Sequence, residues 1–356
     1  MSPTNAILSS FVAVLTFGCA SAGTSPDFQI RDSGLRAAHN ISVYWISNEE
    51  VLFAGPTGET RKRPDGSEEP INRVSTWNSR TSEVRRYGEI AAQLCYHDGY
   101  VVYWQRVSPQ RLRVNYGKLG EESGVERGPL QTGEFYDAHT CRNQNELDAL
   151  PVWAKQANAR RLLPQHGFLV ADGGSRNTTY SLCPTDANDR AQCVGLSIGQ
   201  REVRTFNWHP FKGAYFAVGH YFQVDASHPD GGVGRSPWPK GVPMPVWWLY
   251  PDGRTERVML PSGPWLNYFV SPTRNGFATV GHNNAGQQTL YFMAGDAVRP
   301  ILVGLIEKDA VSPDGCRLAV IHDPKKPSDP TPQHQRHITL KVIDFCARGR
   351  YGIQHR

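Results

Sequence analysis

The sequence predicts an all-β fold, a β-propeller of about six four-stranded blades, and three observations carry that prediction. A turn followed by a short apolar run recurs six times along the chain. Glycine (34) and proline (26) are spread throughout and do not gather in one linker. Amphipathic helical windows are scarce; the best runs from about Gln144 to Arg161, and Pro151 interrupts it.

Taken in order, Ser47-Asn48-Glu49-Glu50 precedes Val51-Leu52-Phe53-Ala54, and His97-Asp98-Gly99 precedes Tyr100-Val101-Val102-Tyr103-Trp104. Gln165-His166-Gly167 precedes Phe168-Leu169-Val170-Ala171, and His209-Pro210-Phe211-Lys212-Gly213 precedes Ala214-Tyr215-Phe216-Ala217-Val218. Ser271-Pro272-Thr273-Arg274-Asn275-Gly276 leads into Phe277-Ala278-Thr279-Val280. Ser312-Pro313-Asp314-Gly315 leads into Cys316-Arg317-Leu318-Ala319-Val320. From Asn48 through Gly99, Gly167, Gly213, Gly276 and Gly315 the steps are 51, 68, 46, 63 and 39 residues. Proline presets φ at the first corner of a tight turn and glycine accepts positive φ, so each turn reverses a strand. The aromatic and β-branched residues that follow suit a buried strand. A second strand pair is visible at Arg73 to Tyr87, Val246 to Leu260, Gln288 to Leu302 and Ile338 to Phe345. Four short antiparallel strands per unit make a propeller blade.

The run Ser312 to Val320 resembles the blade signature of the TolB-like propeller repeats, as do the units at Gly213 and Gly276 more weakly. The resemblance extends over roughly Asn40 to Arg348 and implies a six-bladed, non-enzymatic interaction platform with no particular partner. TolB itself places an α/β domain before its propeller. Only about 20 residues separate the signal from the first strand here, so that domain is expected to be missing and TolB's own role is not carried over.

From Ala6 to Gly18 the chain is almost purely apolar, too short for a permanent span of about 20 residues. Cys19-Ala20-Ser21-Ala22-Gly23 follows, a small-residue cleavage site. Two readings of the processing stand. One is cleavage before Gly23; the other is lipidation at Cys19, because Leu15-Thr16-Phe17-Gly18-Cys19 is a loose lipobox. Thr16, Phe17 and the absence of Lys and Arg from Met1 to Asn5 fit the second less well. The expected layout is a signal over 1–22, a linker over 23–38, the propeller over 39–349 and a tail over 350–356. The expected location is the periplasm or cell envelope, with membrane attachment only through a lipid on Cys19.

Seven cysteines are present, and without Cys19 six remain for disulfides, which persist outside the cytoplasm. Cys183 and Cys193 flank a polar loop and are expected to pair across a hairpin. Cys316 and Cys346 fall in the last unit, which leaves Cys95 for Cys141. No Cys-x-x-Cys pair exists, so no zinc site, and no cofactor of any kind, is expected. The net charge of +5 is scattered, and the basic run Arg61-Lys62-Arg63 is followed by Asp65, Glu68 and Glu69. A solvated loop explains that run better than a nucleic-acid patch.

Gly195-Leu196-Ser197-Ile198-Gly199 matches the pattern of a hydrolase nucleophile, but Gln200 to Phe206 reads as a strand where that chemistry needs a helix. Asp172, His220, His282 and His322 stand where the second strand of their units ends. A polar rim that contacts ligand is one reading and ordinary hydrogen-bonded strand ends the other; such ends splay too far apart to share a metal ion. His334-Gln335-Arg336-His337 lacks the spacing of a helical ligand pair. Trp45, Trp77, Trp104, Trp208, Trp247 and Trp248 sit at strand positions and suit packing between blades.

The connection after the second strand is long in the first unit (Gly55 to Asn72), the fourth (Gln223 to Pro245) and the sixth (Asp323 to Arg336). In the fifth it is short (Asn283 to Gln287). Equivalent connections in a repeat emerge on one face. The fourth carries His228, Arg235, Trp238 and Lys240, and an exposed Trp beside Arg is a common binding anchor. Tolerated insertion is the competing explanation of its length. The predicted binding set is therefore Trp238, Arg235, His228, Lys240, His220, His322 and Asp172. The expected function is that of a monomeric, exported binding or scaffold protein without enzymatic activity, recognising an envelope protein or ligand. The alternative is an extracytoplasmic hydrolase or lyase acting on glycans, a chemistry that propellers also host and that fold does not exclude.

Overall fold

A computed structural model describes residues 28–39, 41–62, 66–90, 94–97, 100–108, 111–119, 125–126, 136–137, 142–143, 159–163, 167–172, 179–184, 186–196, 203–219, 222–224, 233–235, 243–263, 270–324, 330–331 and 336–347. Residues 1–22, expected to form a signal, with Cys19 among them, and Cys141 lie outside the described residues.

Strand β1 (Gln29–Arg36) comes first and waits for the end of the chain. The first sheet then holds β2 (Tyr44–Trp45), β3 (Glu50–Lys62), β4 (Glu68–Asn78) and β5 (Val84–Ile90). The second holds β6 (Leu94–His97), β7 (Tyr100–Ser108), β8 (Arg111–Lys118) and β9 (Val125–Glu126). A small ribbon of β10 (Tyr136–Asp137) and β11 (Arg142–Asn143) precedes the third sheet. That sheet holds β12 (Ala159–Leu163), β13 (Gly167–Asp172), β14 (Thr179–Cys183) and β15 (Val194–Leu196). The fourth begins with β16 (Val203–His209) and β17 (Ala214–Gly219), then spins off a ribbon of β18 (Phe222–Val224) and β19 (Val233–Arg235). It closes with β20 (Met244–Leu249) and β21 (Thr255–Leu260). The fifth holds β22 (Val270–Thr273), β23 (Gly276–His282), β24 (Gln288–Ala294) and β25 (Ala297–Val303). The sixth holds β26 (Leu305–Val311), β27 (Arg317–Asp323) and β28 (Thr339–Asp344), and β1 completes it as the fourth strand. The fold is a six-bladed β-propeller whose last blade joins the two ends of the chain.

All six turns identified in the sequence lie between the first and second strands of a blade. The last shows why its residues are chosen. Asp314 Oδ1 accepts from Ser312 Oγ at 2.6 Å and from the Cys316 amide at 3.0 Å, and Ser312 Oγ accepts from the Arg317 amide at 2.8 Å. Gly315 completes the turn at φ 73°, a conformation that glycine adopts at low cost. These turns also link blades. The Arg274 amide of blade five donates to Gly315 O at 2.8 Å, and the Asp314 amide of blade six donates to Asn48 Oδ1 of blade one at 2.9 Å.

Among the described residues, the second strands of blades one, four, five and six are buried on both faces, which is why they read as apolar runs. Leu318 and Val320 pack toward blade five, against Ala278, Val280 and Phe292, while Ala319 and Ile321 pack toward blade one, against Val51, Phe53 and Trp77. Tyr215, Ala217 and Trp247 face blade three; Phe216, Val218 and Trp248 face blade five. Leu52, Ala54 and Val74 meet Leu94 of blade two. Blade six packs on blade one, and Trp45 Nε1 donates to Ala310 O across that seam at 2.8 Å. Burying a side chain such as Leu318 or Ile321 contributes about 1.5–3 kcal/mol.

Three sequence expectations change. Residues 29–36 were assigned to a linker but form β1, registered on β28 from Gln29↔Asp344 to Arg36↔Thr339. As an edge strand β1 alternates exposed with half-buried positions and carries Arg31 and Asp32, so it lacks the apolar run that marks an inner strand. The connection Gly55 to Asn72 is not an open loop: β3 and β4 continue through it as a protruding hairpin, with Arg61 opposite Glu69 and Lys62 opposite Glu68. That register sets Arg61 and Lys62 at positions opposite acidic residues, while Arg63 lies outside the described residues. The connection Gln223 to Pro245 likewise contains the β18–β19 ribbon.

The disulfides Cys183–Cys193 and Cys316–Cys346 are formed. Cys95 is also disulfide-bonded, and its partner lies outside the described residues.

Candidate functional site

At the seam of blades six and one, the segment after β1, the blade-one hairpin and the residues before β28 line a cavity of about 360 Å³. The meeting of blade six with blade one creates it. After β1 the chain must cross from the rim of blade six to the first strand of blade one, and Ala37-Ala38-His39 makes that crossing. Its backbone is tied to both sides: the Ala37 amide donates to Ile338 O at 2.9 Å and the Ala38 amide to Ala54 O at 2.7 Å. The small Ala side chains allow the crossing segment to lie buried between the blades.

Pro56, Pro70 and buried Asn72 of the blade-one hairpin form one wall, and Ile338 and Arg336 of blade six form the other. Arg36 and His39 flank the crossing segment. Arg336 Nη1 bonds Asp323 Oδ2 at 2.5 Å, and its Nε donates to Thr331 O at 3.0 Å. Arg36 Nη2 donates to Arg336 O at 3.4 Å. His39 Nδ1 lies 2.6 Å from Glu307 Oε2. The two carboxylates are almost wholly enclosed, Asp323 being 1% and Glu307 2% exposed. A buried carboxylate needs a charged or hydrogen-bonding partner, so each fixes the side chain it holds at the cavity.

The first strands pack directly on their neighbours, β22 on β26 and β26 on β2, which places them toward the ring axis. On β26 the two acidic residues serve different neighbours: Glu307 holds His39, and Asp309 accepts a short hydrogen bond from Ser271 Oγ of β22. Burial pushes the Asp309 carboxyl up, and the Ser271 hydroxyl partly offsets this.

His322 stands near the end of β27 as its sequence position implied, and its side chain is buried. Its Nε2 lies 3.0 Å from Val303 O of blade five, and burial pushes its imidazole pKa down. The reason is local: Gly304, at φ 134°, brings the link between blades five and six onto the ring, where a Cβ would stand 2.7 Å from Nε2. Asp172 ends β13 opposite Thr179, and Arg235 ends β19 opposite Phe222; their side chains, like all of His220, His228, Trp238 and Lys240, lie outside the described residues. The residues that line the cavity were not in the predicted set. Only Arg336 had been singled out, within His334 to His337. His39 and Glu307 are 268 residues apart, and no local pattern joins them. Among the described residues no group of three His, Cys, Asp or Glu is placed to hold a metal ion.

No protein-family model matches the chain, and no curated protein sequence does. Solved structures resemble it in shape. Oligogalacturonate lyase from Vibrio parahaemolyticus is 10% identical, with a TM-score of 0.41 over 90% of this chain and 92% of that one. TolB from Acinetobacter baumannii is 8% identical, with a TM-score of 0.37 over 83% of this chain and 64% of that one. The PQQ-bound aldose sugar dehydrogenase from Streptomyces coelicolor is 10% identical, with a TM-score of 0.36 over 90% and 99%. Their roles differ from one another, and none is transferred to this chain.

Proposed function

We propose that the protein is an exported binding protein of the bacterial envelope, which holds a protein or ligand against the face carrying the connections between second and third strands. The observation that carries this reading is the inequality of those connections. Blade five makes the connection in a tight turn closed by the Asn283 amide on Gln287 O at 2.9 Å. Blade one extends a hairpin to Lys62 and Glu68, and blade four inserts a ribbon of its own. Packing of the blades requires neither, and loops that exceed what a scaffold needs are where function concentrates. Two formed disulfides support an oxidising, extracytoplasmic location, as does the signal-like N-terminus. The resemblance of Ser312 to Val320 to TolB-like repeats agrees with a non-enzymatic platform. A glycan hydrolase or lyase would need carboxyl groups open to substrate. The two on β26, Glu307 and Asp309, are each committed to a neighbouring element.

The test trims the face without touching the blades. In one variant 58–69 becomes a short turn; in another a Gly-Ser turn replaces Ser227 to Lys240; in a third Trp238→Ala is made alone. Each is used with the wild type to capture partners from envelope extract. Unchanged thermal stability with lost capture supports the reading. Undiminished capture by all three variants overturns it.

A further inference from the structure

We propose that the cavity at the seam of blades six and one binds the carboxylate of a small ligand, with Nη2 of Arg336 as its anchor; this rests on the binding reading above and narrows it to one chemistry. The Arg336 side chain is only 14% exposed, so its guanidinium is largely cut off from bulk water. A guanidinium carries five N–H donors in a fixed fork. Nε is used on Thr331 O and Nη1 on Asp323. The two hydrogens of Nη2 have no acceptor among the described residues, and the side chain lines the cavity. A ligand that brings a charged acceptor to these donors gains a charge-assisted hydrogen bond.

Charge selects the kind of acceptor. Arg36, Arg336 and His39 line one cavity, while the carboxylates that offset them, Asp323 and Glu307, are enclosed behind it. A ligand therefore meets the guanidinium groups of Arg36 and Arg336 first, and a planar carboxylate matches the guanidinium fork. Pro56 and Pro70 on the facing wall, with Ile338 beside Arg336, offer apolar surface to the remainder of the ligand. A volume of about 360 Å³ accommodates a molecule of amino-acid to dipeptide size. A free organic acid and the C-terminus of a peptide both present this group.

Calorimetry on the mature full-length protein tests the site with N-acetylleucine, its carboxamide, and a tripeptide with a free or amidated C-terminus. The acids are expected to bind at least tenfold more tightly than the matching amides, and less tightly as salt is raised. Asp323→Asn/Arg336→Met removes the buried pair without leaving a lone charge and is expected to abolish the preference for acid over amide. Arg336→Lys, which keeps the charge but not the fork, is expected to weaken it. The free-ended tripeptide binding more tightly than N-acetylleucine identifies a peptide end as the source; the reverse order identifies a small acid. Equal binding of acid and amide, no binding of either at millimolar concentration, or a preference that survives in Asp323→Asn/Arg336→Met overturns the proposal. If that happens while trimming the hairpins still abolishes capture, the carboxylate site alone has failed; if capture also persists, the binding face has failed with it.

Discussion

His209→Phe is expected to remove a specific part of the acid sensitivity of folding. His209 ends β16, is 9% exposed, and lies among the rings of Phe211, Trp248 and Phe216 at 5.6, 5.7 and 6.1 Å. Its Nε2 has no hydrogen-bond partner among the described residues, and burial alone pushes the imidazole from 6.5 down to about 4. The folded state therefore refuses a proton that the unfolded chain accepts. Stability from this residue is intact above pH 6.5 and falls between pH 6.5 and about 4, where both states become protonated. At about 1.4 kcal/mol per pH unit, the full window costs about 3 kcal/mol. Urea unfolding of wild type and His209→Phe at several pH values from 7 to 4 measures it. Carboxylate titrations and the other histidines are common to both proteins and cancel in the difference. The wild type should lose about 3 kcal/mol more than the variant between pH 7 and 4, with unchanged m-values. Parallel stability curves would refute the reasoning, because His209 would then titrate alike in the folded and unfolded chain.

Removing the Cys316–Cys346 disulfide as a double alanine variant should cost about 4 kcal/mol by loop entropy, and removing Cys183–Cys193, which closes a shorter loop, about 3 kcal/mol, both read by urea unfolding under non-reducing conditions. Burial raises the Asp309 carboxyl, so the folded state favours its neutral form and stability falls as pH rises through the carboxylate range. Asp309→Asn should abolish that fall, leaving the variant less destabilised than wild type on going from pH 4 to pH 7. Intact mass of protein recovered from the envelope should give a chain beginning at Gly23, or at a lipidated Cys19; retention of Met1 would rule out export by either route.

The blades were legible because their signals are local. A turn such as Ser312-Pro313-Asp314-Gly315 satisfies itself within a few residues, and the run Leu318 to Ile321 is apolar throughout because both of its faces are covered. Strand β1 was not legible because an outer strand lacks that double burial, and its partner β28 lies at the other end of the sequence. The extended hairpin of blade one was hidden by its charged and proline-containing sequence, whose strand pairing depends on residues facing across the turn. The seam cavity was out of reach for the same reason as β1: Arg36 meets Arg336, and His39 meets Glu307, only when blade six meets blade one. Trp45, assigned to packing between blades, does pack at the seam and also donates a hydrogen bond across it.

Hydrogen exchange of the protein with and without its captured partner tests the binding face most directly. Protection is expected in residues 56–72, 222–235 and 336–338, with the turns at 46–49, 210–213 and 312–316 on the opposite face unchanged. Protection confined to those turns, with the hairpin and ribbon exchanging as in the free protein, would contradict it.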